Sequence, residues 1–323
     1  MAVTAGSVID AIPAAFRRMG RTLFQPFDVR KWFVLGFCAW LAQLGEGGAG
    51  GGGGGGHGGG GGVPSGGGGD VSAIGDWFEE HLAVILLVAA IVFLVVLALG
   101  LLVLWLSSRG KFMFLDGVVH NRGAVVEPWR RYRQLANSLF GFRLAYGLVV
   151  LLVLALVGAV CFGLAWVDIA RETFGPAALI AIVIGVLSFL VVVLAAGIVS
   201  GLLDDFVVPV MYLRGRRVLA AWGVFWRQLG RGHVGPILLF YLMKIVLGMA
   251  VAAVAMIATC LTCCLTALPY LGTVILLPVF VFMRCYSLAF IEQYGPDWRV
   301  FAYDLAPPAP STPDSQRGEG VSE

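Results

Sequence analysis

Charged residues are scarce in this sequence: they make up 13% of the chain, whereas 59% of it is apolar. A soluble globule of 323 residues needs more ionic surface than this to face water. Charge is absent from four stretches, residues 82–108, 144–167, 173–203 and 245–283. Each is longer than the roughly 20 residues that span a bilayer core, so we expect lipid to be the solvent of much of the chain.

The sequence also lacks the motifs of the common catalytic sites. It contains no Walker loop, no HExxH and no GxSxG, so we expect neither an enzyme nor a cofactor. No histidine metal site is expected, because the four histidines are not paired on one helix face: His57, His81, His120 and His233. The basic and aromatic segment 128–133 is typical of interfacial anchoring beside a bilayer, so no nucleic acid is expected as a partner.

Six membrane spans are predicted from the apolar stretches. The longest stretch divides at Pro269, which gives spans at about 32–44, 82–106, 144–167, 177–203, 236–261 and 270–291. The first span would be only about 20 Å long as a helix, and by length alone it would be re-entrant. Whether it crosses fully has to be decided from charge.

The positions of Lys and Arg favour a full crossing. These residues concentrate in segments 1–31, 107–143 and 204–233, and such residues are retained on the cytoplasmic side of a membrane. Segments 1–31 and 107–143 share one side only if 32–44 crosses as well as 82–106. We therefore expect a multi-pass protein of the cell (inner) membrane with its N- and C-termini in the cytoplasm.

The predicted fold is all-α, a polytopic transmembrane helical bundle of about six spans as three repeated hairpins, with amphipathic cytoplasmic segments. Residues 1–31 would form a cytoplasmic N-terminal segment, 32–303 the membrane domain and 304–323 a disordered tail. Residues 45–70 would form a disordered outer loop, because a glycine-rich run has almost no side chains to bury. The amphipathic segments are predicted at 7–24, 109–140 and 212–230.

The first amphipathic segment carries a regular apolar face. Its members recur at three- and four-residue spacing: Ile9, Ile12, Phe16, Met19 and Leu23. This pattern is typical of a helix that lies on the membrane surface. Packing against other cytoplasmic segments is the alternative, and the two are compatible.

An internal repeat supports the arrangement in three hairpins. Segments 114–123, 206–215 and 286–295 each begin with an aromatic residue and end with glycine, and Trp129 and Trp222 follow the first two. Hairpins repeated in one orientation pack around an axis along the membrane normal.

The short basic-led first span (Arg30 to Phe37), the Gly-rich outer loop and the Trp-containing inner segments resemble a family of uncharacterised prokaryotic six-span membrane proteins. The architecture is also similar to the membrane domain found ahead of some glycerophosphodiester phosphodiesterases. The resemblance implies a prokaryotic plasma membrane and supplies no functional residue.

Charged residues at the inner ends of the spans are the first candidates for a site. In the register of the repeat, Arg284 occupies the position of Asp204, so several ionic side chains would meet near one axis: Asp204, Asp205, Lys244, Arg284 and Glu292. As an intramembrane ionic cluster they would line a polar cavity or gate. The alternative is that the basic side chains extend to the headgroups and the acids cap the fourth span.

A thiol cluster is the second candidate. Cys260, Cys263 and Cys264 lie near the outer end of the fifth span. Three roles are compatible with this position: packing between helices, a disulfide and Cu(I) binding.

Two functions follow from these features. The first is a small-solute permease or channel-like protein, supported by the repeat and the buried charges. The second is a non-catalytic membrane-organising or regulatory protein that binds anionic lipid headgroups through the basic cytoplasmic segments. The solute and the oligomeric state are not specified by the sequence, and a homo-oligomer is compatible with it.

Overall fold

The computed structural model describes residues 8–44, 71–170, 175–232, 234–261 and 269–301. The predicted loop 45–70 and tail 304–323 therefore lie outside the described residues. Within them the regular structure is helical, which confirms the predicted all-α class. The helices are α1 (Ala11–Phe24), α2 (Val29–Gln43), α3 (Val71–His120), α4 (Val126–Arg131), α5 (Arg133–Ala170), α6 (Pro176–Leu202), α7 (Val208–Arg214), α8 (Val218–Phe225), α9 (Val234–Leu261), α10 (Pro269–Ile275) and α11 (Leu277–Glu292).

Four helices are long and apolar enough to cross a membrane. They comprise His81–His120, Arg133–Trp166, Pro176–Arg214 and Val234–Leu261. Their apolar side chains point away from the rest of the molecule, and Phe93 on α3 and Leu152 on α5 are 65% and 70% exposed. Apolar surface of this extent is stable only against lipid, so the four helices indicate a membrane protein.

The other two predicted spans are not among these four helices. Helix α2 has 15 residues, about 22 Å, and the predicted span 270–291 is broken at Leu276 into α10 and α11. Pro278 causes the break, because its ring nitrogen cannot donate to the carbonyl of Val274 four residues earlier. That carbonyl instead accepts a hydrogen bond from the Trp32 indole nitrogen at 3.0 Å, which ties α10 to α2.

Helix α2 packs antiparallel against the charged inner third of α3. The Ser107 hydroxyl donates to the Ala42 carbonyl at 2.9 Å, and Gly123 lies against Lys31 at the other end of the pair. At Gly110 the backbones approach so closely that a Cβ atom would lie 2.5 Å from the Ala42 nitrogen. This contact explains why residues 109–120 continue α3, where the sequence predicted a separate segment. The apolar part of α3 extends outward beyond the end of α2.

Helix α1 packs on α11 and keeps part of its apolar face exposed. Ala11, Ala15 and Leu23 are buried, whereas Ile9 and Phe16 are 66% and 57% exposed. One side of α1 is therefore packed against α11, which lies in the predicted sixth span, and the two alternatives for the exposed side stay predictions.

The N-terminal helix and the last described residues lie at the same end of the molecule. Arg18 of α1 pairs with Glu292 at the end of α11, and its guanidinium lies 4.1 Å from the ring centre of Phe301. The end of α7 is also there, because Arg214 stacks on Trp298 at 5.1 Å.

The glycines that end the three repeated segments have different roles. Gly215 and Gly295 have φ angles of 59° and 136°, which favour glycine because a side chain is strained there. Gly123 instead allows close approach to Lys31, and α3 ends at Asn121 with a φ of 51°. The shared residue type therefore reflects two separate structural needs.

Candidate functional site

A π-helical turn, Leu203–Val207, interrupts the inner end of the long helix formed by α6 and α7. It contains the adjacent acids Asp204 and Asp205. A π turn adds one residue to a helical turn and is frequent at functional sites. Here the Asp204 carboxylate binds side chains of α3 and α5, whereas the Asp205 carboxylate binds side chains of α9 and α11.

Asp204 is surrounded by three basic side chains from three helices. Its carboxylate accepts hydrogen bonds from Arg143 of α5 at 3.0 and 3.2 Å and forms an ion pair with Lys111 of α3. Arg284 of α11 donates to the backbone carbonyl of Asp204 at 2.7 Å. A single acidic residue thus connects α3, α5 and α11 to the π-helical turn.

Asp205 is the more buried of the two acids, with a side chain 6% exposed. Lys244 of α9 binds one carboxylate oxygen at 2.5 Å, and the Ser287 hydroxyl of α11 donates to the other at 2.9 Å. A carboxylate at this depth is stable only with such partners, because its desolvation costs several kcal/mol. We call the set Lys111, Arg143, Asp204, Asp205, Lys244, Arg284 and Ser287 the ionic network.

A layer of buried aromatic rings lies directly inward of the ionic network. Phe206, Phe240, Tyr286 and Phe290 are fully buried, and the ring of Phe240 lies 4.7–5.3 Å from the other three. Rings at these distances are in van der Waals contact and exclude water. Buried aromatic rings therefore flank the ionic network on its Asp205 side, where Phe206 follows in the chain.

Four of the five ionic residues singled out in the sequence meet in this network. Glu292 does not: it pairs with Arg18 and accepts a hydrogen bond from the Val300 backbone nitrogen at 3.0 Å. Eight residues separate it from Arg284, about 12 Å along α11, so it lies well inward of the network.

Three members of the ionic network, Lys111, Arg143 and Ser287, were missed in the sequence. A signal for the two basic residues was present, because they are among the charged residues that flank the apolar stretches 82–108 and 144–167. Charged residues that flank successive spans on one side lie at a similar depth.

A second polar cluster surrounds Asp116, a residue the sequence analysis did not single out. Its side chain is fully buried and accepts hydrogen bonds from the hydroxyls of Tyr132 and Tyr212, both at 3.1 Å, and from Arg122 at 3.1 Å. His120 lies 3.2 Å away. These contacts connect the inner end of α3 to α7 and to the junction between α4 and α5.

The pKa values of two groups in this cluster reflect its burial. Burial raises the pKa of the Tyr132 hydroxyl above its ordinary value, and the negative charge of Asp116 raises it further. Burial would lower the pKa of Arg122, but its hydrogen bonds to Glu127 and Asp116 outweigh this and raise it. Tyr132 is thus a neutral donor and Arg122 a cation at neutral pH.

The predicted thiol cluster is described only in part. Cys260 is exposed near the end of α9, and Cys263 and Cys264 lie outside the described residues. The three alternatives for this cluster stay predictions.

The described residues thus form a helical fold with four helices of membrane-spanning length and an ionic network that joins α3, α5, α9 and α11. Residues 7–291 match the model of the family of unknown function DUF7544, and the chain belongs to that family. No curated protein and no solved structure matches the chain. The similarity to the membrane domain of phosphodiesterases therefore stays a prediction.

Proposed function

We propose that this protein is a small-solute permease or channel-like protein of the cell membrane and that the ionic network is its inner gate. The observation that carries the proposal is the convergence of ionic side chains from α3, α5, α9 and α11 on one π-helical turn. Buried ionisable groups within membrane spans are costly, and they often mark a pathway for a solute or ion. The aromatic layer adds a second barrier beside them.

Six crossings form the topology of this proposal. The C-terminal ends of α3 and α11 lie beside α1, because Asn121 donates to the Arg21 carbonyl and Glu292 pairs with Arg18. In this proposal α2 supplies one further crossing, and α10 together with α11 supplies another. With the four long helices these make six crossings as three hairpins, and both termini face the cytoplasm.

The bonds of the network suit a gate because they connect separate helices. Asp204 and Asp205 belong to the same turn but bind different sets of helices. A movement of the π-helical turn would exchange these ion pairs and shift the aromatic layer through the adjacent Phe206. Two-state elements of this kind are the physical basis of gating.

A membrane-organising protein that binds anionic lipid is the second candidate. Helix α1 favours it, because exposed Arg17 and Arg21 lie on the same short helix as exposed Ile9, Phe16 and Phe24. A helix with both features binds the interface of an anionic membrane.

Accessibility of single cysteines to a membrane-impermeant thiol reagent separates the two candidates. In a cysteine-free background, Val199→Cys and Ala196→Cys lie on the half-buried side of α6, outward of Asp204, whereas Ile198→Cys is on the exposed side. We expect the first two to react with reagent added from the cytoplasm once Asp205→Asn and Lys244→Met remove the Asp205–Lys244 pair. Ile198→Cys, facing lipid, should stay unreactive in both backgrounds.

Two reference positions test the topology in the same experiment. Arg17→Cys and Arg216→Cys should react from the cytoplasmic side only. Protection of positions 196 and 199 in both backgrounds means a dry bundle and contradicts the gate. Reaction of the two reference positions from opposite sides contradicts the topology.

A further inference from the structure

Helix α4 is held at the C-terminal end of the apolar part of α3 by two tryptophans in contact with each other and an arginine that contacts both. The guanidinium of Arg109 lies 4.4 Å from the ring of Trp105 and 4.6 Å from that of Trp129. Trp105 belongs to the last turn of the charge-free stretch of α3, and Trp129 belongs to α4. Tryptophans concentrate at the level of the lipid headgroups, so this stack positions α4 at that level.

The break between α4 and α5 creates a basic groove beside this stack. It occurs at Tyr132, whose buried side chain is held by Asp116 and stacks on Phe112 with ring centres 6.1 Å apart. The residues on both sides are left exposed around an open groove of about 650 Å³, lined by Arg130, Arg131, Arg133 and Gln134. Three arginines and one glutamine therefore line the same space.

We propose that this groove binds the phosphate of an anionic phospholipid headgroup. Guanidinium groups present paired N–H donors that match phosphate oxygens, and three of them supply a charge opposite to that of the ligand. The Trp105–Arg109–Trp129 stack places the groove where headgroup phosphates lie. Exposed Val126 at the start of α4, 64% exposed, offers apolar surface for the adjoining acyl region.

The position of the groove, and not its charge alone, indicates that the bound phosphate belongs to a lipid. A site for free phosphate has no need of an exposed apolar residue or of interfacial tryptophans. The site is independent of the permease proposal and would give the second candidate function a defined lipid contact. Failure of the gate experiment therefore leaves it untouched.

Binding of a fluorescent short-chain phosphatidylglycerol to the full-length protein in neutral detergent tests the site. We expect the triple variant Arg130→Gln/Arg131→Gln/Arg133→Gln to weaken binding on the order of 100-fold, because each arginine near an anionic surface contributes separately. The matched control Arg216→Gln/Arg217→Gln/Arg231→Gln removes the same charge from other exposed inner positions and should change binding less than about 3-fold. Replacing the three groove arginines by lysine keeps the charge and should cost about 10-fold, because the paired donors are lost.

Several results would overturn the site. Equal loss in the two triple variants would mean general charge attraction without a groove. No preference of the unmodified protein for phosphatidylglycerol over phosphatidylcholine would remove the anionic headgroup as ligand. Displacement by millimolar inorganic phosphate, but not by sulfate at equal ionic strength, would replace the lipid by free phosphate. The thermal unfolding temperature of each variant is compared with that of the unmodified protein. If it is unchanged, a loss of binding is not caused by a loss of fold.

Discussion

Asp205→Asn is expected to lower the free energy of unfolding by about 3–5 kcal/mol, because it leaves the ammonium of Lys244 without its counter-ion. Lys244 reaches into the protein to bind this carboxylate at 2.5 Å, and the Ser287 hydroxyl also donates to Asp205. Lys244→Met should cost a similar amount, because it leaves a carboxylate that is 6% exposed without its cation. Equilibrium unfolding in mixed micelles, followed by circular dichroism, measures both.

The double variant is the control for this prediction. With Asp205→Asn and Lys244→Met together, no uncompensated charge remains, so most of the lost stability should return. If the double variant instead loses the sum of the two single losses, the residues do not interact and the ionic network is not a unit.

Asp116→Ala is the second change with a large expected effect, about 3–5 kcal/mol of unfolding free energy. It removes a fully buried carboxylate that accepts hydrogen bonds from Tyr132, Tyr212 and Arg122. Each hydrogen bond to a charged group contributes about 1.5–3 kcal/mol, so Tyr132→Phe and Tyr212→Phe should each lie in that range. Thermal unfolding of the three variants shows which substitution lowers the stability most.

Glu127→Gln is the matched control for the Asp116 series. It also removes a carboxylate bound to Arg122, but the Glu127 side chain is 56% exposed, so its loss should cost less than about 1 kcal/mol. An equal effect of Asp116→Ala and Glu127→Gln would contradict a role of the buried cluster in joining α3, α7 and the α4–α5 junction.

The helical class and the four long helices were predictable because a charge-free stretch is a strong local signal. The inner ends of α3 and α5 were harder, since α3 continues 14 residues past the predicted end of its span at residue 106. That continuation depends on the approach of α2 at Gly110, a tertiary contact with no local signature. The break at Leu276 had a local cause in Pro278, which the search for apolar stretches did not weigh.

The candidate site was predictable in its acids and only partly in its cations. Asp204, Asp205, Lys244 and Arg284 were found because they interrupt or end apolar stretches. Glu292 was placed with them because the repeat predicted that all five residues lie at the same depth. In the structure α11 continues past the ionic network, and Glu292 lies beside α1. Asp116 lies in a segment of mixed charge, where nothing in the sequence distinguishes a buried carboxylate from an exposed one.

Solute entry into liposomes that contain the purified protein tests the central claim, that this is a permease or channel-like protein gated by the ionic network. Osmotic swelling would be followed by light scattering for a set of small neutral, cationic and anionic solutes. We expect at least one solute to enter faster than in protein-free liposomes, and Asp205→Asn/Lys244→Met to change that rate at equal protein content. The claim would be contradicted if, for every solute, liposomes with the unmodified protein and liposomes with the double variant both showed the entry rate of protein-free liposomes.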